Sequence, residues 1–254
     1  MKKIASRENP LFRMLLDLSE SSKERKRNGK TLLDGIHLLE SCLASGIEPE
    51  LIVVKESSVL HPEISSLIAR REAVLMADSL FDRISPVKTP TGILSMIGIP
   101  APKAGSCPQF CILLERIQDP GNLGSILRSA AAAGADAAYL SPGCADPWSP
   151  RVLRGGMGAH FMIEIHCDFR LAGFVSGFSG KTVAMALDES SSIYELDLSG
   201  PVAFLIGNEG AGISGELLSL ATFRAKIPMP GRMESLNAAS AAAICLFERT
   251  RQQP

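Results

Sequence analysis

Short apolar runs recur along the chain, separated by stretches in which apolar residues fall three or four positions apart. LIVV (51–54), AVLM (73–76) and ILSMIG (93–98) are of the first kind, and GIHLLESCLASG (35–46) and HPEISSLIARR (61–71) of the second. Short runs bounded by turn residues predict buried strands, and the wider spacing predicts helices with one apolar stripe. The first hundred residues therefore read as a small α/β module entered by a basic helix. Beyond residue 108 strands are predicted at FCILLERI (110–117), AAYL (137–140), TVAMAL (182–187), VAFLIG (202–207) and FRAKIPM (223–229). Helices fall through SILRSAAAAGA (125–135), near PRVLRG (150–155), at ISGELLSL (213–220) and in a long C-terminal segment. Strands separated by helices make an α/β fold with a mostly parallel sheet covered on both faces. Pro, Gly and Ser in PAPKAGSCP (100–108) interrupt the pattern, which places the expected domains at 1–104 and 105–254.

Composition narrows the class. The chain has 254 residues, 46% apolar and 21% charged, enough to supply two modest cores. No apolar run approaches the roughly 18–20 residues of a spanning helix, and MKKIASRENP leads into charge instead of a signal-peptide core. A cytoplasmic protein with no membrane partner is expected. Six scattered cysteines without a C-x-x-C pair and four dispersed histidines predict neither a disulfide framework nor a metal site. The formal net charge of −1 excludes a uniformly basic nucleic-acid binder. Residues 1–30 nevertheless carry nine Lys or Arg against four acids, and KERKRNGK (23–30) is dense enough to touch a phosphate backbone. Arg7, Lys23, Arg25, Lys26 and Arg27 are the candidates; a solvated helix end explains the same run.

In a parallel sheet, ligands bind outside the carboxyl ends of the strands. Three loops there are unusual: ERIQDPGNLGSILRS (115–129), LIGNEGAGIS (205–214) and IPMPGRMESLNAAS (227–240). The first offers Asn122, whose amide donates and accepts, and Arg128, whose guanidinium can grip a phosphate bidentately. In the second, Gly207 and Gly212 have the spacing of a phosphate loop, but Ile213 stands where its lysine belongs and Glu209 adds a negative charge. An ordinary strand-to-helix turn and a ligand loop both remain open. The third exposes main chain at 227–231, offers Ser235 as a helix cap and presents Asn237. Singly, each residue also has a plain reading as a turn former, a surface charge or a routine cap.

Taken together, N-L-G-S-I-L-R, I-G-N-E-G and I-P-M-x-G-x-x-x-S-L-N resemble, in order, the three motifs of the SpoU family, RNA ribose 2′-O-methyltransferases of the SPOUT superfamily. SRENP and LLDGIHLLESCLASG resemble that family's N-terminal RNA-binding module, so the resemblance spans nearly the whole chain. It implies an S-adenosylmethionine-dependent homodimer with a trefoil knot in its C-terminal domain, acting on ribosomal RNA in preference to transfer RNA. It further implies that main chain near Gly207, Ile227 and Met229, with Leu236 packing, encloses the adenosine. Glu209 would face the reaction side. Arg128 would act on the 2′-hydroxyl, as base or as electrostatic anchor, with Asn122, Ser235 and Asn237 orienting nucleotide and loops. In GGMGAHFMIEI, Met162 stands where the family often has a basic residue. The alternatives are a non-catalytic RNA-binding or ribosome-assembly protein on the same scaffold, and a transfer RNA ribose methyltransferase.

Overall fold

The computed structural model describes residues 1–254 except 86, 88, 104–106, 188–189, 232 and 254. The elements run β1 (Lys3–Ile4), α1 (Pro10–Glu20), α2 (Ser22–Asn28), β2 (Lys30–Asp34), α3 (Ile36–Ala44), β3 (Leu51–Lys55), α4 (Pro62–Ile68), β4 (Ala73–Met76), α5 (Asp78–Ile84) and β5 (Ile93–Gly98). Then come β6 (Phe110–Leu114), α6 (Pro120–Ala132), β7 (Ala137–Leu140), α7 (Pro150–Gly156), β8 (Glu164–His166), α8 (Leu171–Gly177), β9 (Lys181–Met185), β10 (Ser191–Ser192), β11 (Val202–Ile206), α9 (Gly215–Leu220), β12 (Phe223–Lys226) and α10 (Ala238–Gln252). Two compact units result, Met1–Ala101 with Trp148–Phe161, and Pro102–Pro147 with Met162–Pro254. The boundary expected between residues 104 and 105 lies outside the described residues.

In the first unit a mixed sheet has the order β1-β4-β3-β5-β2, with β5 antiparallel to both of its neighbours. Helix α1 starts at an Asn9 cap with Pro10 in its first turn, and buries Phe12, Leu15 and Leu18 against Leu32, Val53, Met76 and Phe81. Its three-residue spacing is the stripe that such burial needs. The basic run forms α2, and here one expectation is corrected. Arg25 is not available to RNA: it is buried, and its Nη1 donates to the carbonyls of Leu18 (2.6 Å) and Ser19 (3.1 Å), closing the open C-terminal end of α1. Arg27 pairs with Glu24 on the same helix, while Arg7, Lys23 and Lys26 are exposed. The later segment 148–161 belongs to this unit. Thr31 Oγ1 donates to the Trp148 carbonyl at 2.5 Å, and Gly158 lies so close to α3 that a Cβ there would meet Ser41 Oγ at 2.6 Å.

In the second unit seven strands lie in the order β10-β12-β9-β11-β6-β7-β8, every pair parallel. Successive side chains alternate between faces. Cys111, Leu113, Ala203 and Leu205 pack with Leu171, Val175 and Leu217 of α8 and α9, while Phe110 meets the guanidinium of Arg249 on α10, 4.3 Å from its ring centre. Because all strands run one way, the loops after β6, β11 and β12 leave from one edge of the sheet. Among the described residues no cysteine is in a disulfide, no group of His, Cys, Asp or Glu could hold a metal ion, and no helix is long and apolar enough to cross a membrane.

Candidate active site

Each of the three loops leaves a strand and opens a helix. Asp119 caps α6 by accepting from the Asn122 N–H at 2.7 Å, with Pro120 at the first helical position, so Asn122 is fixed in the first turn. Helix α10 is capped by Asn237, whose Oδ1 accepts from Ala239 N (2.9 Å) and Ser240 N (3.3 Å). This corrects the capping role expected of Ser235, which lies two residues earlier and is exposed.

The glycine loop is tied by its own polar groups. Asn208 and Gly212 exchange both main-chain hydrogen bonds, and Asn208 Oδ1 accepts from Gly210 N and Ala211 N. Its Nδ2 reaches across to the Arg116 carbonyl at 2.8 Å. A Cβ on Gly207 would stand 2.3 Å from Gly212 C and 2.4 Å from Ile213 N. The loop's own main chain therefore requires glycine at 207.

A chain of amides links the loops. Asn237 Nδ2 donates to Asn122 Oδ1 at 2.8 Å, and Asn122 Nδ2 donates to Glu209 Oε1 at 3.1 Å. Partial burial pushes the Glu209 carboxyl up, but the hydrogen bonds from Asn122 and from the N–H groups of Gln118 and Asp119 outweigh it and hold the group below the usual glutamate value. Glu209 is thus an anion and a poor base at neutral pH.

Asn122, Gly207, Glu209, Ile227, Met229, Ser235, Leu236 and Asn237 all line one cavity of about 470 Å³. Also lining it are Met185 at the end of β9 and Ala186 and Leu187 just after it, together with Asn208, Lys226 and Ala241. No polar residue marks 185–187; only the strand order, which sets β9 beside β11, brings them in. Asn208 had been visible within I-G-N-E-G without a role. Arg128 is not in the lining. It is exposed on α6, six residues beyond Asn122, hence about 9 Å along the axis and about 120° around it.

A cavity of this size, apolar in its walls with a few converging polar groups at the carboxyl edge of a parallel sheet, suits a small ligand. The comparisons with known proteins agree. The profile of the SpoU rRNA methylase family matches residues 109–247, and that of an MRM3-like substrate binding domain matches 9–95. The chain belongs to the SpoU rRNA methylase family, and is a methyltransferase of that class. It is 32% identical to the 23S rRNA (guanosine(2553)-2′-O)-methyltransferase RlmP of Bacillus subtilis, over 97% of this chain and 98% of that one. Among solved structures it resembles an rRNA methyltransferase from Sinorhizobium meliloti (29% identity, TM-score 0.86, covering 98% of this chain and 97% of that one). It also resembles the SpoU methyltransferase AviRb from Streptomyces viridochromogenes in complex with AdoMet (27% identity, TM-score 0.82, covering 96% and 98%).

The amide chain is testable. A hydrogen bond to a charged group contributes about 1.5–3 kcal/mol, so Asn122→Ala should lower kcat/KM by about 10- to 100-fold. Asn122→Asp should do worse, because it sets a second carboxylate against Glu209. Steady-state kinetics on both variants, with melting curves to verify folding, decide it. An Asp variant as active as the Ala variant would show that the Asn122–Glu209 bond does not order the loops.

Proposed function

We propose that this methyltransferase carries the methyl group of S-adenosylmethionine to a ribose 2′-hydroxyl of ribosomal RNA. The observation that carries the reading is the convergence of three loops, tied by Asn237, Asn122 and Glu209, on one cavity. The donor set fits this cofactor. Ile213, at the position of a phosphate-loop lysine, is buried, and Glu209 is anionic, so the loop suits a ligand without phosphate. When bound, S-adenosylmethionine would supply a methyl already activated on sulfur for the ribose oxygen, with the hydroxyl proton passing to solvent.

Within this reading Gly207, Ile227, Met229 and Leu236 hold the adenosine, and Asn122, Ser235 and Asn237 orient the nucleotide and the loops. Glu209 fixes Asn122. Arg128 anchors the substrate phosphate and stabilises charge developing on oxygen, since a guanidinium with a pKa above about 12 is a poor base. Residues 1–104 read RNA through Arg7, Lys23, Lys26 and Arg27, and 105–254 carry the chemistry. The enzyme works in the cytoplasm as a homodimer, and the path from β12 back to α10 closes a trefoil knot. Support for ribosomal RNA comes from the relative named above, which this chain matches almost end to end.

The test is to incubate transcribed ribosomal RNA with labelled S-adenosylmethionine, locate the modified nucleotide by mass spectrometry, and repeat the reaction with a 2′-deoxy nucleotide at that site. Labelling should vanish on the deoxy RNA. Continued labelling would move the acceptor to the base.

A further inference from the structure

Beside the cavity the main chain takes a conformation that its residue does not favour. Arg116, just after β6, has φ = 51°, one of three non-glycine residues at positive φ among the described residues, whereas glycine occupies nine such positions. Left-handed backbone suits glycine or asparagine and costs other residues stability. The chain uses glycine elsewhere in this role, so an arginine here needs a reason.

The conformation is fastened from two other loops. The Arg116 N–H donates to Ser141 Oγ at 3.0 Å, and its carbonyl accepts from Asn208 Nδ2 at 2.8 Å. The stem of the side chain is seated as well. It lies against Gly143, where an added Cβ would come 3.2 Å from Arg116 Cγ. The guanidinium, by contrast, is scarcely used by the fold. Its side chain is 53% exposed, and its ion pair with Glu115 spans 3.9 Å while Glu115 already accepts from the Ser214 N–H at 2.7 Å. Two residues further on, Gln118 and Asp119 direct their N–H groups to Glu209. A positive fork with a fixed root therefore stands next to the loop that orders the site.

We infer that Arg116 is a substrate-positioning residue that grips a phosphate of the RNA flanking the methylated nucleotide. The inference rests on the RNA methyltransferase reading given above. A guanidinium matches phosphate oxygens bidentately, and a stem held in place before binding loses less freedom on contact. The strained backbone is the cost of aiming that side chain at the substrate.

Arg116→Gly and Arg116→Asn separate strain from charge, because both residues accept the left-handed conformation and neither carries a cation. Both variants should melt no lower than the parent protein and bind S-adenosylmethionine unchanged by calorimetry. For transcribed ribosomal RNA the KM should rise about 5- to 10-fold, and the log–log salt dependence of RNA binding should flatten by about 0.7–0.9, the share of one phosphate contact. Arg116→Lys should keep the salt slope. A parental KM and slope in Arg116→Gly would overturn the inference while leaving the methyltransferase reading intact, and so would a lysine variant that loses the slope as glycine does. If the parent protein itself methylates no RNA, the broader reading falls first.

Discussion

Arg128→Ala binds S-adenosylmethionine as tightly as the parent protein and leaves ribosomal RNA unmethylated: that is the expected result of the most damaging substitution. Arg128 lies about 9 Å along α6 from Asn122 and outside the cavity lining, so its removal takes nothing from the donor site. Among the described residues its guanidinium has no ion pair or hydrogen bond, so the fold loses little as well. What goes, on the proposed reading, is the cation that anchors the substrate phosphate. Removing a preorganised charge of this kind typically costs about 10²–10³ in rate, and arginines that stabilise phosphoryl transfer reach about 10³–10⁵. A loss of at least about 10³ in kcat/KM is expected. Arg128→Lys should recover part of it, since a charge without the fork still neutralises phosphate. Single-turnover methylation with calorimetric titration of the donor measures both halves. An alanine variant with more than a tenth of parental activity would remove Arg128 from the mechanism.

Gly207→Val should abolish donor binding by a different route. The new Cβ would collide with Gly212 and Ile213 main chain at 2.3–2.4 Å, so the glycine loop has to open. Opening breaks the Asn208–Gly212 pair and, through Asn208, the hold on the Arg116 carbonyl. Forcing atoms into packed structure costs about 1–3 kcal/mol, and the broken hydrogen bonds add to this, so donor affinity should drop by more than about 100-fold. Because the clash begins at Cβ, Gly207→Ala should already lose most of that affinity. Had the ligand alone demanded glycine, alanine would leave the melting temperature unchanged while weakening binding. Calorimetry paired with melting curves separates the two, and an alanine variant with parental stability would return the requirement to the ligand.

Much of this arrangement could be read in the sequence. AVLM, ILSMIG and AAYL are strands to the residue, because short, mostly apolar runs bounded by turn residues allow little else. The edge strands β1, β8 and β10, two or three residues each, are too short to carry a period and take their structure from their neighbours. At the site, residue identities in the three motifs pointed to one cavity, but not to what each side chain does there. Ser235 and Asn237 are both good caps, and only the backbone entering α10 chooses Asn237. Arg25 looked like its neighbours in KERKRNGK, yet its place in α2 turns it onto the end of α1, a tertiary fact that charge density cannot encode. The left-handed backbone of Arg116 was equally silent, since nothing in LERIQD marks a residue that prefers otherwise.

The assignment of Trp148–Phe161 to the first unit has a bearing on how the protein is made. Chains usually fold domain by domain as they are synthesised, the N-terminal one first. Here the first unit is incomplete when Ala101 has been added, because Thr31 and Ser41 await partners at Trp148 and Gly158. At about 5–20 residues per second, the sixty residues from Pro102 to Phe161 that must follow before the unit is complete take about 3–12 s to translate. By the end of that interval β6 and β7 have been synthesised, while β11, which pairs with β6, and β8, which pairs with β7, have not. Translation thus leaves both cores unfinished at once, and the early phase of the protein's life is the one in which its apolar strands most need shielding from other chains.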